Sequence, residues 1–249
     1  MVDLSIVTIT YNDSTGLRKT IDSVTKNAKK TALNIEFIIV DGSEDICLWN
    51  AAISEFDKTH LKYISGPDLG VFDAMNKGVD VASNSKYIYF LNSGDQFSDE
   101  TVLNSIEELI FVNSYPIIAG RVMMSLGELF SESDLYPWVC HQSVFCKTNL
   151  IKKYKFNHKL KFFGDLDLWL RLRSDNYFNP FRVGLVISKF ELGGIGNSPS
   201  HLWERLRERN TLQKFSTKSV GRFFYTFYLY VVYKIFGTRA YFRVLSKVN

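Results

Sequence analysis

The sequence is poor in cysteine, and it lacks several features that mark common classes of protein. Its three cysteines, Cys47, Cys140 and Cys146, are odd in number and none is spaced as Cys-x-x-Cys. This argues against a disulfide framework or a structural zinc site, and it fits a reducing cytosol. The first apolar segment, 4–10, is too short for the hydrophobic part of a signal peptide and has no basic leader, so no signal peptide is expected.

Glycine-rich phosphate-binding loops are also missing. The pattern Gly-x-x-x-x-Gly-Lys-Ser/Thr does not occur, and Gly194-Ile-Gly196 lacks the third glycine of a dinucleotide fingerprint and follows no early strand. A phosphate ligand would therefore be bound by a metal ion and side chains.

What the sequence does have is the composition of a globular protein and an uneven distribution of charge. Its 249 residues are 46% apolar and 22% charged, which suits one large soluble domain. Residues 200–249 carry 10 of the 30 Lys and Arg residues but only 2 of the 26 Asp and Glu residues, so their net charge is +8, against −4 for residues 1–199. We expect a mildly acidic domain, 1–199, followed by a basic extension, 200–249, that meets an anionic partner.

The first ninety residues alternate between strand and helix patterns. β-branched apolar runs end at polar turns, and amphipathic stretches follow them. This alternation predicts a parallel sheet with helices on both faces. Strands are predicted at 4–10, 36–40, 61–65 and 87–91, and helices at about 14–29, around Trp49, Ile53 and Phe56, and at about 71–82.

Acidic and small polar residues follow each predicted strand. Ligands of such sheets bind outside the carboxyl ends of the strands. Several carboxylates at one edge cost free energy unless a cation or the hydrogen-bond donors of a ligand offset them. We therefore interpret Asp95 as facing a ligand, although an ordinary turn residue is the alternative. The strand ends are Tyr11-Asn12-Asp13, Asp41-Gly42-Ser43, Asp68 and Ser93-Gly94-Asp95.

Seven segments, spanning roughly residues 4 to 197, carry a recognisable order of motifs. The most specific is Pro67-Asp-Leu-Gly-Val-Phe-Asp-Ala-Met-Asn-Lys-Gly78, followed by Phe90-Leu-Asn-Ser-Gly-Asp95. The others are Ser5-Ile-Val-Thr-Ile-Thr-Tyr-Asn12, Ile39-Val-Asp-Gly-Ser43, His141-Gln-Ser-Val-Phe145, Gly164-Asp-Leu-Asp-Leu-Trp-Leu-Arg171 and Phe190-Glu-Leu-Gly-Gly-Ile-Gly-Asn197.

Together these segments resemble the family 2 inverting glycosyltransferases of the GT-A fold, and most of all the bacterial enzymes that build O-antigen, capsule and colanic acid repeats. The resemblance implies an α/β fold: a Rossmann-like, mostly parallel sheet flanked by helices, with a helical, basic and aromatic extension at the C-terminus.

The resemblance also implies roles for individual residues. Asp41 would contact the nucleotide base, Asp68 and Asp73 would line the donor pocket, and Asp95 would hold a divalent metal, Mn²⁺ or Mg²⁺, which neutralises a diphosphate leaving group. Ser93 stands where the family has the first Asp of its Asp-x-Asp motif, so this site has one carboxylate fewer. Further nucleotide-sugar-binding residues are expected at Thr10, Tyr11, Asn12, Lys77, Gly94 and His141.

The catalytic base is expected at Asp165. Displacement at an anomeric carbon needs a carboxylate that takes the proton of the acceptor hydroxyl, and the resemblance places Asp165 there. The residues alone favour a helix N-cap at Asp165, with Asp167 favoured by the helix dipole, and the two roles can coexist. His141 is either a structural residue or a contact for the diphosphate, the metal or the acceptor.

The aromatic run 223–233 is apolar nearly all round and is followed by basic residues. It is too short to span a bilayer. It is either a core helix or an interfacial helix with its basic residues on anionic lipid, and the net charge of the extension favours the membrane surface. No nucleic-acid-binding module is recognisable, so nucleic acid is not an expected partner.

The expected function is metal-dependent, inverting transfer of a hexose from UDP-Glc or UDP-Gal to an undecaprenyl-diphosphate-linked saccharide, with a β1,3 linkage as a common outcome in the family. The expected location is the cytoplasmic face of a bacterial inner membrane. Two alternatives are a sugar-phosphate nucleotidyltransferase and a non-catalytic sugar-nucleotide-binding assembly protein, for which Ser93 is the best argument.

Overall fold

A computed structural model describes most of the chain: residues 1–43, 60–126, 129–133, 139–191, 194, 196, 198–213 and 217–248. The helix expected around Trp49, Ile53 and Phe56 lies outside the described residues. The strands are β1 (Leu4–Thr10), β2 (Ile35–Asp41), β3 (Leu61–Ser65), β4 (Tyr87–Phe90), β5 (Gln96–Phe97), β6 (Ile117–Leu126), β7 (Leu129–Ser133), β8 (Val144–Lys147) and β9 (Phe181–Glu191). The helices are α1 (Ser14–Ala28), α2 (Val71–Val81), α3 (Val102–Val112), α4 (Thr148–Tyr154), α5 (Gly164–Ser174), α6 (Leu202–Leu212) and α7 (Thr217–Val248).

The described strands form one sheet in the order β3-β2-β1-β4-β8-β6-β9-β5, with β7 on β6. The first four strands pair in parallel, as their alternation with helices predicts. The register sets Thr10 opposite Asp41, and Asp41 opposite Ser65. The carboxyl ends of these strands therefore meet at one edge of the sheet. On the far side of β4, strand β8 runs antiparallel to β4 and to β6.

Both faces of the sheet are covered, which explains why β1 and β2 are apolar at successive positions. In β2, Phe37 and Ile39 belong to one buried cluster that includes residues of α1 and α3. The alternate residues Ile38 and Val40 belong to a second cluster that includes residues of α2, α4 and α5. The two clusters sandwich the sheet and hold its carboxyl edge in place.

The C-terminal extension packs on the domain by one face of α7. Tyr241 and Phe242 are buried in a cluster with Val122 and Met124 of β6. The long helix is interrupted at Gly237, whose φ of 79° lies in the left-handed region that glycine favours. Within the described residues, no helix has both the length and the hydrophobicity needed to cross a membrane.

The other face of α7 carries large apolar side chains in solvent. Phe224 is 64% exposed and Phe236 is 69% exposed. The sequence left open whether this run is a core helix or an interfacial helix, and the structure shows a helix with one buried and one exposed apolar face. The exposed members are Phe223, Phe224, Phe227, Tyr228, Ile235 and Phe236.

A buried carboxylate joins β1, β2, β3 and the end of α2. Glu36 accepts hydrogen bonds from Ser5 Oγ (2.5 Å) and from the Ser83 amide (2.6 Å) and hydroxyl (2.7 Å). Lys62 lies 2.7 Å away and forms an ion pair with it. Burial alone would raise the pKa of Glu36, but the hydrogen bonds from Lys62, Ser5 and Ser83 outweigh burial and lower it.

We expect Glu36→Gln to destabilise the fold by about 2 kcal/mol at neutral pH, because a glutamine amide group would face hydrogen-bond donors. The pKa of Glu36 is lowered by folding, so its contribution is present above the unfolded pKa and is lost as the pH falls through the folded pKa. In urea unfolding at several pH values, the free energy of unfolding should therefore fall less for the variant than for wild type as the pH is lowered. Glu100→Gln, at a half-exposed surface pair, is the control and should change stability much less, because solvent screens that pair. Equal effects of the two substitutions would contradict this role of Glu36.

Candidate active site

The ends of β1 and β2 are tied together by short polar contacts. The backbone amide of Asn12 donates to Ser43 Oγ at 2.7 Å, and the amide of Gly42 donates to the Thr10 carbonyl at 3.0 Å. Asn12 has a φ of 50°, a conformation that asparagine tolerates better than most residues. Tyr11 beside it is 63% exposed. This arrangement places Thr10, Tyr11 and Asn12 at the edge where the sequence predicted a ligand.

Asp41 is buried at this edge and is held in a fixed orientation. One carboxylate oxygen accepts from the Ser43 amide (2.8 Å) and the other from the Tyr63 hydroxyl (3.3 Å). Burial raises the pKa of Tyr63, and the negative charge of Asp41 adds to the effect. The predicted contact between Asp41 and a nucleotide base stays a prediction.

Asp68 reaches the same edge because residue 42 has no side chain. A Cβ atom at Gly42 would lie 2.2 Å from Asp68 Oδ2, so only glycine leaves room for this carboxylate. The other Asp68 oxygen accepts from the Gly70 amide at 2.8 Å. Asp68 therefore lies against the turn that carries Asp41.

Asp73 and Lys77 hold the loop that carries Asp68 on α2. Asp73 accepts from the Leu69 amide at 3.0 Å and from Lys77 Nζ at 3.2 Å. Lys77 also donates to the Pro67 carbonyl at 2.6 Å. Burial would raise the pKa of Asp73, but these contacts lower it. These contacts position the loop that carries Asp68, and the predicted contacts of Asp73 and Lys77 with the donor stay predictions.

In the turn after β4, the carboxylate of Asp13 lies next to Ser93, the residue that replaces the first Asp of the Asp-x-Asp motif. Ser93 Oγ donates to Asp13 Oδ2 at 2.8 Å, and the other Asp13 oxygen caps α1 by accepting from the Gly16 amide at 2.9 Å. Gly94 has a φ of 90° and turns the chain towards Asp95. Asp13 is therefore a site residue that the sequence placed at a strand end but gave no role.

Asp95 is 7% exposed, and its carboxylate is oriented by a residue that the sequence analysis missed. Gln142 Nε2 donates to Asp95 Oδ2 at 3.2 Å. The side-chain oxygen of Gln142, Oε1, accepts a hydrogen bond from the Cys140 thiol at 2.6 Å. Burial raises the pKa of this thiol, and the negative charges of Asp165 and Asp95 raise it further, so Cys140 is a neutral donor. Gln142 stands in the motif His141-Gln-Ser-Val-Phe145, but no role for it followed from the sequence.

His141 links the strand edge to α5. Its Nε2 lies 3.3 Å from Asn92 Nδ2, and its Nδ1 lies 3.3 Å from Asp165 Oδ2. In the tautomer whose Nε2 accepts from the Asn92 amide, Nδ1 carries the proton and donates it to Asp165. His141 thus has a structural contact with the candidate base, and its predicted contact with the diphosphate, the metal or the acceptor stays a prediction.

The structure corrects the N-cap interpretation of Asp165. The N-cap residue of α5 is Phe163, and its side chain makes no capping hydrogen bond. Asp165 lies in the first turn, where its Oδ1 accepts from the Leu166 amide at 2.7 Å. Asp167 instead pairs with Arg171 at 2.8 Å, and Arg171 also binds two backbone carbonyl groups. Asp167 is therefore engaged in a structural network, and Asp165 is the carboxylate at the site.

The predicted metal site would bind Mg²⁺ or Mn²⁺ through oxygen atoms, chiefly those of Asp95. Among the residues that the structure describes, no three His, Cys, Asp or Glu side chains are grouped as ligands of one ion. Asp95 offers a carboxylate of the kind that Mg²⁺ and Mn²⁺ prefer, and proteins often hold such ions by one or two carboxylates together with substrate phosphates.

This fold and this set of residues define a class of protein. Residues 5–166 match the model of the family described as "Glycosyl transferase family 2". An uncharacterized glycosyltransferase of Mycobacterium tuberculosis strain H37Rv is 27% identical over 231 residues, which cover 85% of this chain and 84% of the relative.

Solved structures agree on the fold. S. aureus TarS residues 1–349 in complex with UDP-GlcNAc match with a TM-score of 0.62 at 15% identity, covering 89% of this chain and 69% of that one. Against the longer TarS structure the match covers 38% of the TarS chain. The mannosyltransferase PcManGT from Pyrobaculum calidifontis, in complex with GDP-Man and Mn²⁺, matches with a TM-score of 0.62 at 11% identity, covering 86% of this chain and 65% of that one.

The α/β fold is thus the GT-A glycosyltransferase fold, as predicted. The chain belongs to glycosyl transferase family 2, and it is a glycosyltransferase.

Proposed function

We propose that the protein is a metal-dependent, inverting hexosyltransferase. Its donor would be UDP-Glc or UDP-Gal, and its acceptor a saccharide linked to undecaprenyl diphosphate, with a β1,3 linkage in the product. The reaction would serve bacterial surface polysaccharide synthesis, such as O-antigen assembly, at the cytoplasmic face of the inner membrane.

One observation supports the catalytic part of this proposal. The consecutive residues His141 and Gln142 contact Asp165 and Asp95 respectively, so one short turn sets the separation of the two carboxylates. The side chain of Asp165 is 21% exposed, which leaves it within reach of an acceptor, whereas Asp95 is buried. The two carboxylates thus have different surroundings, as expected for a base and a ligand of a cation.

The proposed reaction is a single displacement. Asp165 accepts the proton of the acceptor hydroxyl while that oxygen attacks the anomeric carbon and the nucleoside diphosphate leaves. The Nδ1–H of His141 orients Asp165, and each carboxylate oxygen keeps a lone pair for the incoming proton. Attack opposite the leaving group inverts the anomeric configuration. Asp95 would hold the divalent cation, which supplies charge neutralisation for the diphosphate when bound.

The lipid-linked acceptor and membrane contact are supported by α7. Its exposed face combines Phe224, Phe227 and Phe236 with the exposed cations Lys234 and Arg239. Aromatic rings with neighbouring basic residues suit the interface of an anionic bilayer. The opposite face of α7 packs on the domain. A membrane bound to the exposed face would therefore lie beside the catalytic domain.

We expect Asp165→Asn to lower the rate of transfer by about 10²- to 10⁴-fold, because it removes the base and keeps the size of the side chain. The affinity for UDP should stay within about threefold, since no donor-binding group is removed. Asp167→Asn is the matched control, two residues along the same helix: it should keep most of the activity and lower the melting temperature by loss of the Arg171 pair. Near-normal transfer by Asp165→Asn would place the base elsewhere.

A second prediction concerns the metal. Asp95→Asn should weaken Mn²⁺ binding to the UDP-loaded protein by about tenfold or more, measured by titration of the free-Mn²⁺ EPR signal, since it removes a charged oxygen ligand. Asp80→Asn, at an exposed pair with Lys155, should leave the titration unchanged. Transfer by wild-type protein at full rate in excess chelator would rule out this metal role.

A third prediction concerns membrane contact. The protein should float with vesicles containing phosphatidylglycerol, and binding should weaken with salt, because each basic residue near an anionic surface contributes about 1 kcal/mol. The double variant Phe224→Ser/Phe236→Ser should float less, whereas Phe111→Ser, an exposed aromatic on α3, should not differ from wild type. Equal flotation of all three proteins would show that α7 is not the membrane contact.

A further inference from the structure

Three arginines converge where α6, α7 and the start of α5 meet. We call Arg205 and Arg209 of α6 and Arg222 of α7 the arginine cluster. The guanidinium carbons of Arg205 and Arg209 each lie 6.0 Å from the centre of the Phe163 ring. Arg222 is anchored by hydrogen bonds to Asn210 and Gln213, both at 3.0 Å, and its charge acts on Arg209.

The acids of α6 do not serve as counter-ions for this cluster in the contacts that the structure shows. Glu204 pairs with Lys161 (3.2 Å) and His201 (3.3 Å). Glu208 accepts three backbone amides, those of residues 161, 162 and 163, at 2.9, 2.9 and 2.7 Å. The sequence of α7 contains no Asp or Glu.

The cluster is partly withdrawn from water as well. The Nε atoms of Arg205 and Arg209 are buried and have no hydrogen-bond partner. Burial lowers the pKa of Arg209, and the positive charges of Arg222 and Arg205 lower it further. Like charges held together in a partly buried place cost free energy unless an anion offsets them. Guanidinium groups bind phosphate oxygens through paired N–H donors, so a phosphate ester is the ligand that fits.

The location of the cluster indicates which phosphate it binds. Phe163, beneath Arg205 and Arg209, is the N-cap residue of α5 and stands two residues before Asp165. On its other side, Arg222 is followed in α7 by the exposed Phe223 and Phe224. The cluster therefore contacts the start of α5, the helix that carries the candidate base, and includes the residue of α7 that precedes the exposed aromatic side chains.

We propose that the arginine cluster binds the diphosphate of the lipid-linked acceptor. This inference rests on the proposed function for the nature of the acceptor. The anionic group would stay on the cluster while the lipid chain extends along α7 and the sugar reaches Asp165.

Direct binding tests the inference without turnover. In calorimetry with the full chain and farnesyl diphosphate, Arg205→Gln and Arg209→Gln should each weaken binding by about tenfold or more, because each removes a charge-assisted contact. Arg207→Gln, exposed on the same helix, is the matched control and should bind as wild type does. Farnesol should bind at least tenfold more weakly than farnesyl diphosphate. Unchanged affinity in both cluster variants would overturn the proposal.

Two further arms identify the source of the phosphate. If Arg205→Gln and Arg209→Gln weaken UDP binding as much as farnesyl diphosphate binding, the cluster belongs to the donor and the proposal is wrong. If they reduce flotation with phosphatidylglycerol vesicles and leave farnesyl diphosphate binding unchanged, the cluster binds headgroups and the proposal is also wrong. Should either variant fail to fold in a melting curve, Arg222→Gln, on another helix, replaces it and should weaken farnesyl diphosphate binding about tenfold.

Kinetics separate this inference from the proposed function. With a diphosphate-linked acceptor, the cluster variants should raise the acceptor KM about tenfold and leave kcat and the donor KM unchanged. With a phosphate-free alkyl glycoside acceptor they should match wild type. If wild-type protein transfers no sugar to either acceptor while farnesyl diphosphate binding still depends on Arg205 and Arg209, the proposed function fails and the diphosphate site stands.

Discussion

The parallel pairing of β1 with both β2 and β4 is the constraint on which the site depends. Thr8 Oγ1 donates to the Leu91 carbonyl at 2.6 Å inside the core, and the Ser93 amide continues the pairing by donating to Ile9 at 3.0 Å. Parallel strands end at the same edge, so the turns after β1, β2 and β4 meet there whatever their sequences. The pairing therefore brings Asp13, Asp41 and Asp95 to the same edge of the sheet.

The second half of the site depends on an antiparallel strand. β8 lies beside β4, so the short turn before β8 comes next to the end of β4. The hydroxyl groups of Tyr89 in β4 and Ser188 in β9 both donate to the backbone carbonyl of Gln142, each at 2.6 Å. Burial raises the pKa of Tyr89 well above its usual range, so its hydroxyl stays a donor. A turn fixed from two strands can hold His141 against Asp165 and Gln142 against Asp95 without help from a ligand.

The sequence predicted β1 to β4, α1 and α2 within one or two residues, because buried β-branched runs ending at polar turns are local signals. The antiparallel pairings of β4 with β8, of β5 with β9 and of β6 with β8 join distant segments and left no such signal. Asp165 illustrates the same limit. Its N-cap interpretation was wrong because α5 begins at Gly164, which makes Phe163 the N-cap residue. The segment before α5 is held by Glu208, about forty-five residues away in sequence, which accepts the amide of Phe163, and such a distant contact leaves no local signal. Gln142 escaped notice since a buried amide forms no pattern, and Asp13 since its partner is Ser93.

The extension shows why composition alone left two alternatives for α7. A run that is apolar nearly all round cannot indicate which face is buried. In the structure, Leu229 is buried in the cluster that includes residues of β6, and Val232 is buried as well, while Phe224 and Phe227 face solvent, so core packing and an exposed apolar surface coexist on one helix. Basic charge is divided in the same way, since Arg222 lies in the arginine cluster and Lys234 and Arg239 are exposed. Because α7 packs on β6, a ligand held by its exposed face and by the arginine cluster would be placed relative to Asp165 by the sheet itself.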